Sequence, residues 1–180
     1  MAAARAPAAA LRRARAVRFM AFDVDGVMTD GRLWYGPSGE QLKAFHVADG
    51  LGVKLLARAG IATAILSARK SRALARRARE LGIDHVVMGA EDKRDAFAKL
   101  LARARVDAAA AGYMGDDLVD LPVLRRCGFA CAPANAQALV RANAHYVSRA
   151  RGGEGAVREA CEFVLRAQGR LEDAHARYLA

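Results

Sequence analysis

Cysteine is scarce in this sequence, and its few copies are badly placed for cross-linking or metal binding. Cys127, Cys131 and Cys161 form no pair of CxxC clusters, and no second group of His or Cys stands at zinc-finger spacing, which excludes a structural zinc knuckle. They read as reduced thiols buried as small apolar residues. No staple is needed, because a 180-residue chain can bury roughly 70% of the surface it exposes when unfolded. Long apolar runs are also missing. None approaches the ~20 residues that span a bilayer, and Ile61 to Leu66 is only strand-length, so a soluble protein with no membrane partner is expected. Aromatic residues make up only 6% and no nucleic-acid recognition motif is present. That weakens the polynucleotide reading which a net charge of +10 would otherwise invite. The positive charge is also unevenly spread: Arg5, Arg12, Arg13, Arg15 and Arg18 lie in the N-terminal stretch, and Arg69, Lys70, Arg72, Arg76, Arg77 and Arg79 crowd one predicted helix. A small anionic substrate accounts for that charge without nucleic acid.

Serine is absent from Met1 to Arg18, which argues against a transit peptide. Residues 1–17 are expected to be a disordered, Ala/Arg-rich cytoplasmic extension. Residues 18–180 then form a single domain with a C-terminal tail from about residue 151; no repeat or linker marks a second one.

Strand-length apolar stretches recur, each followed by helical spacing, the pattern of an α/β domain with a parallel sheet. Val17 to Phe22, Ile61 to Leu66, His85 to Met88, Ala111 to Met114, Phe129 to Ala132 and His145 to Val147 read as strands. Helices are expected over the Arg-rich segment ending at Leu81-Gly82, where glycine is the natural stop, and over Asp92 to Ala104, Ala136 to Ala142 and Gly155 to Ala167. Arg32 to Tyr35 and Gln41 to Phe45 flank the turn Gly36-Pro37-Ser38-Gly39, so a β-hairpin should project after the first strand.

The first chemistry-bearing motif, Asp23-Val24-Asp25-Gly26, follows directly on that strand. In an open α/β sheet the carboxyl ends of strands are where ligands bind. A carboxylate at Asp23 needs no deprotonation to attack phosphorus. Asp25 can protonate the leaving alcohol and then deprotonate the attacking water, while Gly26 lets the chain turn. A lone DxDG is also consistent with a capped turn. Gly115-Asp116-Asp117-Leu118-Val119-Asp120 follows a second strand, where Asp116 could complete an oxygen-rich Mg2+ site with Asp23. Asp117 and Asp120 suit helix capping. Ser67 stands after another strand, where a hydroxyl and helix-start N–H groups can hold phosphate oxygens. Lys93, ahead of a helix, could neutralise charge on a transferred phosphoryl group.

Taken together, the DxDG, Ser67, Lys93 and GDDLVD series resembles the haloacid dehalogenase superfamily of phosphatases. The stretches DVDGVMTDGRLWY, GEQLKAFHVADGLGVKLL, GDDLVDLPVL and GGEGAVREACEFVLRAQG are similar to the 3-deoxy-D-manno-octulosonate 8-phosphate phosphatase family over nearly all of the chain after residue 18. The resemblance implies a three-layer, Rossmann-like α/β fold without a cap domain, and a Mg2+-dependent phosphomonoesterase of lipopolysaccharide precursor synthesis in the cytoplasm. It makes Asp23 nucleophile and metal ligand, Asp25 acid/base and carbonyl ligand, and Asp116 the third protein ligand. Ser67 and Lys93 then hold the phosphoryl group, with His46, Val47, Ala48, Asp49, Gly50, Lys54, Arg69 and Arg77 near the sugar-acid phosphate. Arg69 and Arg77 read equally well, from the residues alone, as a solvated helix face.

Between Asp25 and Leu66 there is room for only a hairpin and a helix, too little for a lid domain, yet water must be kept from a phospho-enzyme. The resemblance implies a homotetramer in which a neighbour's surface and C-terminal tail close the site. Ala68, Leu121 and Glu154 depart from the family pattern, which touches the sugar contacts rather than the phosphoryl chemistry. The alternatives are a sialic-acid-type 9-phosphate phosphatase and a non-catalytic sugar-phosphate-binding scaffold.

Overall fold

The computed structural model describes residues 8–179. Six strands form one parallel sheet: β1 (Phe19–Phe22), β4 (Ala62–Ser67), β5 (His85–Met88), β6 (Ala111–Met114), β7 (Phe129–Ala132) and β8 (Tyr146–Val147), ordered β5-β4-β1-β6-β7-β8. The connections reverse direction at β1, so β1, β4 and β6 surround the switch point where such sheets bind ligands. Side chains alternate along β1. Phe19 and Ala21 enter one core with Ala64, Leu66 and Tyr113, whereas Met20 and Phe22 enter the other with Ile65, Met114 and Phe129. Both faces are buried, which is why the strands read as continuous apolar runs.

On one face lie α2 (Val47–Arg58), α3 (Arg72–Leu81) and α7 (Ala156–Ala167); on the other lie α4 (Lys93–Ala104), α5 (Leu121–Leu124) and α6 (Ala138–Asn143). Local chemistry bounds them. Ser71 caps α3 by accepting from Leu74 N at 3.3 Å, and Gly82 ends it at φ 71°. Asp92 caps α4 by accepting from the N–H groups of Arg94 at 2.8 Å and Asp95 at 3.2 Å.

Two expectations are corrected. Residues 8–17 are not a disordered extension: α1 (Ala8–Arg15) packs on α7, with Ala10 and Ala14 buried one turn apart. Gln168 Nε2 donates to Ala14 O at 3.3 Å and Val17 O at 2.8 Å, tying that helix down. Residues 1–7 of the expected extension lie outside the described residues.

The segment from about 151 packs on the domain. Its α7 is a core helix, α8 (Leu171–Ala176) folds back on it, and Gly152 and Gly153 lie directly on the Gly26–Asp30 loop. Gly153 N donates to Val27 O at 3.0 Å, and any Cβ on Gly152 would fall 1.7 Å from Gly26 O.

The hairpin, β2 (Trp34–Gly36) with β3 (Gly39–Leu42), is shorter than expected. The register shifts between Trp34, which pairs with Leu42, and Tyr35, which pairs with Glu40, and residues 43–45 lie beyond the ladder.

Candidate active site

Asp23 lies one residue beyond β1 and is still in register, its N–H donating to Met114 O on β6 at 2.9 Å. The following loop is folded around Thr29, whose buried hydroxyl donates to Val24 O at 3.3 Å and accepts from Gly31 N at 3.2 Å. Gly26 sits at φ 95°, and a Cβ there would fall 2.1 Å from Asp116 Oδ2. Two independent demands therefore require glycine, the left-handed backbone and the approach of the Asp116 carboxylate. Gly26→Ala is expected to lower both thermal stability and phosphate release, as seen by unfolding scans and a turnover assay on the same sample.

Lys93, the first residue of α4, is buried, with Nζ 2.7 Å from Asp23 Oδ1 and 2.6 Å from Asp120 Oδ1. Asp120 is wholly buried and saturated. Its Oδ1 accepts from Lys93 and from the Tyr113 hydroxyl at 2.6 Å, and its Oδ2 from the N–H groups of Asp116 at 3.0 Å and Asp117 at 3.2 Å. Asp117 caps the short turn after it, accepting from Leu118 N at 2.7 Å.

Carboxylate oxygens of Asp23, Asp116 and Asp120 lie within 4.8 Å of one another. Crowding three carboxyls in a buried place raises their proton affinity. Burial, then Asp120, pushes the Asp23 carboxyl up to about 6 against the pull of Lys93. Burial, then Asp23 and Asp120, pushes Asp116 up to about 8. Burial alone would depress the Lys93 ammonium, but Asp23 and Asp120 outweigh it and raise its pKa.

A divalent cation suits this place. Asp116 Oδ1 is buried with no hydrogen-bond partner among the described residues, the condition of a ligand atom aimed at an ion. Asp120, by contrast, has all its acceptor positions committed, so Asp23 and Asp116 are the carboxylates able to ligate.

Asp25 points away from that cluster. Its Oδ1 pairs with Lys43, whose side chain is buried just after the hairpin, and its Oδ2 is 4.0 Å from Arg69 Nε. Arg69 also donates to the Tyr35 hydroxyl on the hairpin. Arg69 thus lies at the site and not on a solvated helix face. Ser67, ending β4 beside β1, is buried and accepts from Arg69 N at 3.1 Å. A cavity of about 1010 Å³ opens beside Lys93, with Arg94, Leu118, Val119 and Arg125 in its wall.

The remaining expected contacts are placed differently. Arg77 is anchored over the start of α2, donating to His46 O at 3.5 Å, lying 5.8 Å from the Phe45 ring centroid, and packing so closely on Gly50 that a Cβ there would be 2.3 Å from its Nη2. His46 and Val47 are exposed, Ala48 is half-buried, and Lys54 makes no hydrogen bond or ion pair among the described residues.

The Asp49 side chain serves the fold. Its buried carboxylate faces α7, accepting from Arg158 N at 2.8 Å and Gly155 N at 3.4 Å. It supplies the N-terminal cap that Gly155 cannot. Asp49→Ala is expected to cost about 1 kcal/mol of stability, with Asp49→Asn retaining most of it, as denaturant midpoints would show.

Asp120 and Lys43 are the residues that the sequence hid. The i+4 spacing of Asp116 and Asp120 is equally that of a capped helix start. Nothing in the sequence aims Lys43 at Asp25, because the two lie 18 residues apart and meet only in the folded chain.

A buried aspartate after β1, a lysine at the start of α4 paired with it, an acidic cluster after β6 and a doubly wound parallel sheet place the chain among the hydrolases of the haloacid dehalogenase superfamily. No family model matches the chain. The 3-deoxy-D-manno-octulosonate 8-phosphate phosphatase of Yersinia pestis is 44% identical over 164 residues, 91% of this chain and 88% of that protein. Its crystal structure superposes with a TM-score of 0.89, covering 92% and 89% of the two chains. The enzyme of the same name from Moraxella catarrhalis, solved with a magnesium ion, a phosphate ion and KDO, is 38% identical with a TM-score of 0.91, covering 94% and 97%. The cobalt-bound deoxy-D-mannose-octulosonate 8-phosphate phosphatase of Haemophilus influenzae is 41% identical with a TM-score of 0.90, covering 93% and 99%. The chain belongs to the 3-deoxy-D-manno-octulosonate 8-phosphate phosphatase family.

Proposed function

We propose that this protein hydrolyses 3-deoxy-D-manno-octulosonate 8-phosphate to the free sugar acid and inorganic phosphate, with Mg2+ bound, in lipopolysaccharide precursor synthesis in the bacterial cytoplasm. The observation that carries the chemistry is the buried Asp23–Lys93–Asp120 chain beside the orphaned Asp116 oxygen. Family membership at 44% identity carries the substrate.

Asp23 attacks phosphorus through a carboxylate oxygen, and the bond from phosphorus to the sugar oxygen breaks. Asp25 gives its proton to that departing oxygen. Water then attacks phosphorus, Asp25 recovers a proton from it, and the Asp23 carboxylate is released. Lys93, Ser67 and the N–H groups after Ser67 hold the phosphoryl oxygens. Asp23, Asp116 and the Asp25 carbonyl would hold Mg2+, which supplies charge neutralisation between the attacking carboxylate and the phosphate. The family resemblance assigns Arg69, Arg77, Lys54 and His46–Gly50 to the sugar acid. From Asp49 that contact is through the backbone, since its carboxylate is committed to α7.

A homotetramer belongs to the same proposal. Trp34, Tyr35, Leu42 and Val47 leave 57–83% of their surface exposed around the hairpin, an apolar rim suited to a neighbouring copy that shields the site. The test is phosphate release from the eight-carbon substrate and from a sialic-acid-type 9-phosphate in parallel. A strong preference for the former bears out the reading. Preference for the nine-carbon compound contradicts the substrate and retains the mechanism, and silence on both points to a non-catalytic scaffold.

A further inference from the structure

Tyr113 carries the one hydroxyl in β6, whose four residues, Ala-Gly-Tyr-Met, are all buried. Its ring meets Phe97 edge-on at 5.8 Å between centroids, and a phenylalanine would fill the same space. A hydroxyl buried this deeply costs free energy unless it is bonded, and this one donates to Asp120 Oδ1 at 2.6 Å. A carboxylate offers about four acceptor positions. On Asp120 they are taken by Tyr113, Lys93 and the backbone N–H groups of Asp116 and Asp117.

We propose that the Tyr113 hydroxyl is a positioning group for phosphoryl transfer, holding the Asp120 carboxylate so that Lys93 is shared between Asp120 and Asp23. Two carboxylates compete for one ammonium, at 2.6 Å and 2.7 Å. The phenol fills part of the Oδ1 acceptor capacity and itself accepts from Lys93 Nζ at 3.5 Å, so it weakens the hold of Asp120 on Lys93 and leaves the ammonium beside Asp23, where the phosphoryl group arrives. Without it, Asp120 draws Lys93 toward itself. The backbone N–H groups of Asp116 and Asp117 hang from the other oxygen of the same carboxylate, so the position of Asp116 depends on it too.

This rests on the phosphatase reading above, and the experiment separates the two. Wild type, Tyr113→Phe, Lys93→Ala and the double variant are assayed for phosphate release from 3-deoxy-D-manno-octulosonate 8-phosphate with Mg2+. Tyr113→Phe is expected to lower kcat about tenfold, which is ~1.4 kcal/mol, with KM changed less than about twofold and the unfolding temperature nearly unchanged. In the Lys93→Ala background the same substitution should cost little, because the group it acts through is gone. Equal losses in both backgrounds, or none in wild type, would overturn the proposal. An inert wild type would instead overturn the phosphatase reading. Should Tyr113→Phe fail to fold, 3-fluorotyrosine at position 113 keeps the size and strengthens the donor, and an unchanged kcat would then count against the role.

Discussion

Asp23→Asn is expected to leave the protein folded and to cut phosphate release by at least about a thousandfold, as loss of an attacking group does where residues act as a unit. The amide has the size of the carboxyl and can still accept from Lys93, so the end of β1 and its bond to Met114 O are kept. It cannot attack phosphorus. Stability should change little, because the substitution removes repulsion as well as attraction. Burial and Asp120 already hold the Asp23 proton up to about 6, and Lys93 keeps its second partner at 2.6 Å. Circular dichroism and an unfolding scan establish the fold, and a phosphate-release assay the loss. Substantial activity in a folded Asp23→Asn protein would contradict covalent catalysis at this residue.

The second large effect concerns cation and pH together. Asp23 and Asp116 have folded-state pKa values of about 6 and about 8, both above the ordinary carboxyl value of 3.8. A raised carboxyl pKa means that the folded, metal-free chain binds protons which the unfolded chain has released. The contribution of these two carboxyls to its stability therefore falls as pH rises from about 4 through about 8. A divalent cation needs both carboxylates ionised, so its affinity should rise across the same window, and with it the stability it returns. Chelation is expected to abolish turnover. The increase in unfolding temperature produced by Mg2+ should be small at about pH 5 and large at about pH 8. Scans with Mg2+ and with chelator at both pH values check this, and a pH-independent increase would place the cation elsewhere.

Much of the site was legible because its chemistry is written where strands end. Asp23, Ser67, Lys93 and Asp116 each stand just beyond an apolar run, and the sheet brings three of those runs side by side as β4, β1 and β6. The illegible parts are set by tertiary contacts. Ala10 and Ala14 look like any alanines in a basic stretch until α7 lies over them. Asp49 stands beside Gly50 in a motif that resembles a substrate loop, yet its carboxylate serves a helix more than 100 residues away. Asp120 looks like a cap and partly is one, since Asp117 N donates to it. Its second oxygen finds Lys93 and Tyr113 only because α4 and β6 meet there.

The most direct test of the covalent mechanism is to mix the protein, substrate and Mg2+, quench within the first turnover, reduce with borohydride and sequence the resulting peptides. Borohydride converts an acyl phosphate to the alcohol, so an aspartyl phosphate at the end of β1 appears as homoserine at position 23. Homoserine there and nowhere else is the predicted result. An unmodified Asp23 alongside released phosphate, or homoserine at Asp25, Asp116 or Asp120, would contradict it.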